Sequence, residues 1–278
     1  MGGFLDGIAY SNGTMWISDL DGNRVIRLAA EDARRRPDIA VPEGPLTVVA
    51  TERSVWVASY NGSVVTRFTS ANGARDATIP TPGPRPCGLV VAAGRLWVLD
   101  QSDGSAGTAD VAGAALTRFD QPARAGFASG GFGAIWVPDF SGSSRTVSRI
   151  DLASRAVRRI AVGNQPIMAL AGGDSVWVSN TVDATVTRIA PRTGAVRATI
   201  RVPGGQTGGL AFARGVLWVA SYGGASVAAI DPRSGAVLGT VAVPGPAENI
   251  AADPAGNLWV TQADGTVTEL RPRVGSRR

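Results

Sequence analysis

Residues 172–196 read GGDSVWVSNTVDATVTRIAPRTGAV. Apolar and polar residues alternate at period two around Trp177 and again through VTRI, the pattern of half-buried β-strands. The glycine-bearing turn PRTGA follows, where a left-handed residue suits a tight hairpin. One such segment would be an ordinary piece of sheet. This one recurs along the whole chain.

The tryptophans are Trp16, Trp56, Trp97, Trp136, Trp177, Trp218 and Trp259, spaced 40, 41, 39, 41, 41 and 41 residues apart. Each sits in the same context: TMWIS, SVWVA, RLWVL, AIWVP, SVWVS, VLWVA, NLWVT. A second alternating run follows about eleven residues later (VIRL, VTRF, VSRI, VTRI, VAAI, VTEL), consistent with another strand. Then come glycine turns (SANGA, PRTGA, PRSGA), a third run (ATIP, ATIRVP, GTVAVP) and a small-residue strand such as GLVVAAG that leads to the next tryptophan. Four strands per unit, repeated seven times without helical periodicity, predict an all-β fold: a seven-bladed β-propeller of four-stranded antiparallel blades.

Residues 1–278 are expected to form this single domain. A tryptophan on each second strand would fill the gap to the neighbouring blade, which cannot bury its faces alone. Arg27, Arg67, Arg149 and Arg188 recur on third strands and are expected to lie exposed between neighbouring strands. Blade three is irregular: DQSDGSAGTADVAGAALTRFD parses either with TADVA as its third strand or with an enlarged loop before LTRF. The last blade is expected to be incomplete, because neither end supplies its fourth strand. The natural polypeptide is therefore expected to extend further, and otherwise VTEL is an exposed edge.

Composition removes several function classes. The chain has no histidine, so no His can act as general base, triad member or metal ligand. The single cysteine, Cys87, excludes an internal disulfide, and with no histidine to activate it Cys87 is expected to pack against the channel wall. All 27 basic residues are arginine, a pattern that fits a GC-rich genome, and the net charge of +5 is dispersed. No concentrated basic stripe points to nucleic acid. Arg34, Arg35 and Arg36 are offset by Glu31, Asp32 and Asp38 on a turn of the opposite, bottom face. No apolar run reaches membrane-span length, and MGGFLDGIAY does not read as a signal peptide.

The units GNLWVTQADGTVTEL, GVLWVASYGGASVAAIDPRSGAV and GDSVWVSNTVDATVTRIAPRTGAV resemble the propellers of virginiamycin B (streptogramin) lyases, of the YncE type and of NHL-repeat sensors. The resemblance covers essentially the whole chain. It implies lyase histidines in the loops leading into inner strands, with a glutamate nearby. The matching stretches RPCGL, NQPIM, QTGGL and AENIA carry none, and Glu248 alone offers an acidic counterpart. Resemblance to gluconolactonase-type propellers implies a divalent cation at the top of the channel, held from the starts of inner strands. The positions ten residues before each tryptophan are Asp6, Leu46, Cys87, Gly126, Ile167, Gly208 and Asn249. Only Asp6 and Asn249 suit a cation there, calcium being the natural candidate for such oxygens.

The residue three after each tryptophan is polar throughout: Asp19, Ser59, Asp100, Asp139, Asn180, Ser221 and Gln262. These positions fall at the top ends of the second strands, with Tyr60 and Tyr222 directly after the two serines. They read either as strand-end caps or as a polar ring that binds a ligand.

Two functions follow. The first is a non-enzymatic recognition or sensor propeller, monomeric, without cofactor, binding a small molecule, peptide or protein through its top face. The second is a metal-assisted hydrolase or lactonase-like enzyme, or a streptogramin lyase-like one. Actinobacterial chains of similar appearance are often extracytoplasmic parts of larger proteins, including receptor-type kinases, so an extracytoplasmic compartment is the expectation if the chain is part of a longer receptor or secreted protein.

Overall fold

The computed structural model describes residues 3–113, 115–121 and 123–272. The period-two runs form seven antiparallel sheets arranged in a ring, each built from strands consecutive in sequence. Blade five shows the unit: Pro166–Gly172, Ser175–Asn180, Thr185–Ile189 and Val196–Arg201, paired in that order from the channel outward. Blades one to six have four strands. Blade seven has three: Ala247–Ala252, Leu258–Gln262 and Val267–Leu270. Among the described residues no helix is long and apolar enough to cross a membrane.

Glycine ends the third strand where the repeat requires it. Gly194 and Gly235 sit at φ 69° and 78°, a region closed to most side chains. In blade four the equivalent residue is Arg155, at φ 63°. Its guanidinium lies 4.1 Å from the Trp97 ring centroid of blade three, so a contact between blades accompanies the left-handed conformation.

The tryptophans are packing residues, as the repeat predicts. Six are at most 1% exposed and Trp218 is 8% exposed. Each apolar cluster draws from two blades. Trp16 joins Val48, Val55, Val57 and Phe68 of blade two, while Trp177 joins Leu210, Leu217 and Val219 of blade six. Trp259 of blade seven packs with Leu5, Ile8, Met15 and Ile17 of blade one and so closes the ring. The indole N–H groups of Trp136, Trp177 and Trp218 donate to carbonyls five residues upstream, at 3.2–3.4 Å.

The third-strand arginines are not exposed as expected. Arg27, Arg67, Arg149 and Arg188 stand opposite Trp16, Trp56, Trp136 and Trp177, and Arg67 is only 7% exposed. Arg27, Arg149 and Arg188 place their guanidinium groups 5.2–5.9 Å from the indole centroids. Three of the four donate to turn carbonyls of the next blade: Arg27 to Asn72, Arg67 to Val111 and Gly113, and Arg188 to Arg233. The long stem covers the ring while the charged head ties two blades together.

In blade three the third strand is Ser105–Asp110, so the TADVA parse holds with an earlier start. LTRF instead leads into the outer strand Thr117–Asp120. In blade four the inner strand shrinks to Ser129–Gly131. Upstream of it Phe127 bridges in parallel to Met168 of blade five, with Phe127 N donating to Ile167 O at 2.8 Å. That detour carries Phe127 to the channel.

Candidate functional site

The polar residues three after each tryptophan are turn braces. Asp19 accepts from Gly22 N at 2.9 Å and Arg24 Nε at 2.7 Å. Asp100 accepts from Ser102 N, Ser102 Oγ, Asp103 N and Arg85 N. Asp139 accepts from Arg124 N, Ser141 N and Ser141 Oγ. Ser59 and Ser221 donate to Pro42 O and Pro203 O. Asn180 donates to the Thr185 carbonyl and to the Thr185 and Thr187 hydroxyls, and Gln262 accepts from Thr268 Oγ1. All but the half-buried Asp139 are at most 1% exposed. These six side chains form a buried ring, each bonded to groups of its own turn or of the loop leading into its blade. Tyr60 donates to Gln101 at 2.6 Å, beneath Arg85. Tyr222 alone of this group is exposed, at 41%.

The open mouth lies nearer the axis, at the starts of the inner strands. A cavity of about 340 Å³ is lined by Phe4, Phe127 and Tyr222 as an aromatic rim, with Asp6, Glu248 and Asn249 as a polar floor. Thr207 and Ile167 lie in its wall. Phe127, Thr207 and Glu248 stand nine to eleven residues before their tryptophans, flanking the ten-residue position already singled out. Inner strands therefore present neighbouring positions to the channel because they are bulged here: the pairing register shifts between Thr207 and Leu210 and between Ala247 and Asn249. Glycine lets two of these strands meet, since a Cβ on Gly209 would fall 2.7 Å from Asn249 Cα.

Asp6 and Asn249 are brought together, as the spacing predicts, but their arrangement does not fit a cation. Asn249 Nδ2 donates to Asp6 Oδ1 at 3.3 Å, and Asn249 Oδ1 accepts from Ile250 N at 2.9 Å. The amide thus presents N–H to the carboxylate while its only side-chain oxygen is engaged by backbone. Among the described residues no group of three or more Asp, Glu or Cys side chains could hold a metal ion.

Electrostatics single out the floor. Burial pushes the Asp6 carboxyl up to about 7, against the opposing pull of the Asn249 hydrogen bond. Glu248, half-buried, is pushed up to about 8 by burial and then by the Asp6 charge. Burial first, then the charges of Asp6 and Asp100, also drive the Cys87 thiol far above its ordinary range, so it is an inert wall residue.

Fold and mouth together define a seven-bladed propeller with an acidic, aromatic-rimmed channel entrance. The virginiamycin B lyase family model matches residues 5–270, and the chain belongs to that family. A solved streptogramin B lyase superposes with a TM-score of 0.84 at 15% identity, over 96% of this chain and 93% of that one. Hydrazine synthase of Kuenenia stuttgartiensis superposes at 0.83 with 16% identity, over 99% and 98%. The computationally designed Ika8 protein gives 0.74 at 10% identity, over 97% and 96%. These likenesses speak for the fold alone. No curated protein matches the sequence.

Proposed function

We propose that this chain is a binding propeller that takes a small organic ligand in the channel mouth. The apolar part of the ligand lies against Phe4, Phe127 and Tyr222, and an ammonium or N–H group meets the carboxyls of Asp6 and Glu248. One contrast carries this reading. Arginine pairs with Asp19, Asp38, Asp76, Asp110, Asp151, Asp174 and Asp183 elsewhere in the chain. Among the described residues no arginine forms an ion pair with Asp6 or Glu248. A buried carboxyl beside a half-buried one, both lining the open mouth without a cation partner, favours a ligand that brings one.

Phenethylamine is a suitable probe, because its ring and ammonium match rim and floor. It raises the melting temperature of the wild type at pH 8. Asp6→Asn and Glu248→Gln lose most of that rise, while Asp139→Ala keeps it. Equal shifts in all four proteins would remove the floor from the account.

Glu248 also supports a second, enzymatic reading. A carboxyl near 8 exchanges protons efficiently at neutral pH, and the elimination catalysed by a lyase needs a proton acceptor. Incubation with virginiamycin B decides: ring opening that Glu248→Gln abolishes establishes the lyase-like reading, and an unchanged antibiotic leaves the binding one.

A further inference from the structure

The wall of the mouth carries a hydroxyl that the fold does not use. Thr207 opens the inner strand of blade six, Thr207–Ala213, is 1% exposed and lines the cavity of about 340 Å³. Its Oγ1 is buried and has no hydrogen-bond partner among the described residues. A buried hydroxyl left unpaired costs stability unless something else bonds it.

Other threonines around the channel spend theirs on a neighbouring blade. Thr47 donates to Cys87 O of blade three, and Thr261 donates to Asp6 O of blade one at 2.8 Å. Thr181 of blade five, which also lines the mouth, donates to the Thr207 carbonyl at 3.0 Å. Next to it Tyr222 N donates to Gln206 O at 2.9 Å. The main chain at Thr207 is thus held while its side chain is uncommitted. No hydrogen bond opposes a turn about χ1, which exchanges methyl and hydroxyl and lets an acceptor in the cavity draw the O–H toward itself.

This donor stands beside the acidic floor. A Cβ on Gly208 would fall 2.4 Å from Glu248 O, so the residue after Thr207 abuts the main chain of Glu248. A ligand that meets both side chains carries its ammonium and its acceptor close together, as on one carbon. Gln206, exposed in the same lining, adds a side-chain amide donor. The acceptor is neutral, because Asp6 and Glu248 disfavour a further carboxylate.

Resting on the mouth as the binding site, we propose that its ligand is an aromatic α-amino amide and that Thr207 selects it. The ring lies against Phe4, Phe127 and Tyr222, the ammonium meets the floor carboxyls, and Thr207 Oγ1 donates to the amide carbonyl.

The test compares phenylalaninamide with phenethylamine, which has the same ring and amine without the carbonyl. Isothermal titration at pH 7 gives both affinities for the wild type, Thr207→Val and Thr207→Ser. Their ratio is the readout, since the different basicities of the two amines cancel between proteins. The ratio falls about fivefold in Thr207→Val, the effect of one lost hydrogen bond. Thr207→Ser, which keeps the hydroxyl, keeps the wild-type ratio. The melting temperature of Thr207→Val does not drop, because the variant removes a buried polar atom that the protein leaves unbonded. Phenylalanine, with a carboxylate in place of the amide, binds more weakly than phenylalaninamide. The same ratio in all three proteins, with phenethylamine bound, would overturn the role of Thr207 and leave the reading of the mouth standing. A wild type that binds neither amine would overturn both.

Discussion

Asn249 donates to Asp6 across 243 residues of sequence, and Thr261 Oγ1 donates to the Asp6 carbonyl at 2.8 Å. The first inner strand and the last blade thus meet at one residue, whose main-chain carbonyl and carboxyl join the ends of the ring while the carboxyl also floors the channel mouth. A charge there is held without an arginine, so structure and ligand compete for the same group.

This sets a pH dependence. Asp6 and Glu248 have folded-state pKa values of about 7 and about 8, above the ordinary carboxyl range. The folded state therefore holds protons that the unfolded chain has already released. Their stabilising contribution is full below about pH 4 and is lost as pH rises through 7 and 8. Asp151, which accepts from Ser154 first of all, and Asp174, which accepts from Ser175, are depressed to about 2 and act in the opposite sense. Their contribution is present above about pH 4 and fades as pH falls toward 2. The melting temperature is expected to peak near about pH 4 and to fall from there toward pH 8. Asp6→Asn flattens the alkaline side, and at pH 8 it melts roughly 2–6 °C above the wild type.

Arg67→Ala is expected to destabilise by about 2–4 kcal/mol in denaturant unfolding, because it strands the carbonyls of Val111 and Gly113 and uncovers Trp56. Arg67→Lys recovers only part of this, since one ammonium cannot span both carbonyls and Asp76. Arg34→Ala on the exposed turn stays within about 0.5 kcal/mol of wild type.

Asp100→Ala is expected to cost about 1–3 kcal/mol, because four donors lose one buried acceptor. Binding of phenethylamine to the folded variant is unchanged, which equilibrium dialysis would show. A selective loss of binding with full stability would return Asp100 to the site.

Trp177→Ala is expected to cost about 3–5 kcal/mol by opening the seam between blades five and six. Trp177→Phe recovers much of it, read from the urea midpoint. Equal damage from both would show that the indole N–H bond to Gly172, and not the packing, is what matters.

The fold was legible because packing repeats. Each tryptophan has to fill the same gap, so its spacing counts the blades and places the second strand of each. The Asp6–Asn249 meeting was legible for the same reason, since both lie ten residues before a tryptophan. The direction of polar side chains was not. Asp19 and Asp100 look ligand-ready in sequence, and only the loop geometry shows their donors already in place at Gly22, Arg24, Ser102 and Arg85. The arginines opposite the indoles were misjudged because charge was read without the length of the stem. Phe127 reaches the mouth through a bridge to blade five that no local pattern encodes.

The most direct test of the central claim is an NMR titration of the Asp6 and Glu248 carboxyl carbons, with Asp6→Asn and Glu248→Gln to assign them. The account predicts midpoints near 7 and 8, both falling when phenethylamine is added, because a bound cation favours the charged forms. Midpoints near 4 that the amine leaves in place would contradict it: the floor would be solvated and would not be the binding site.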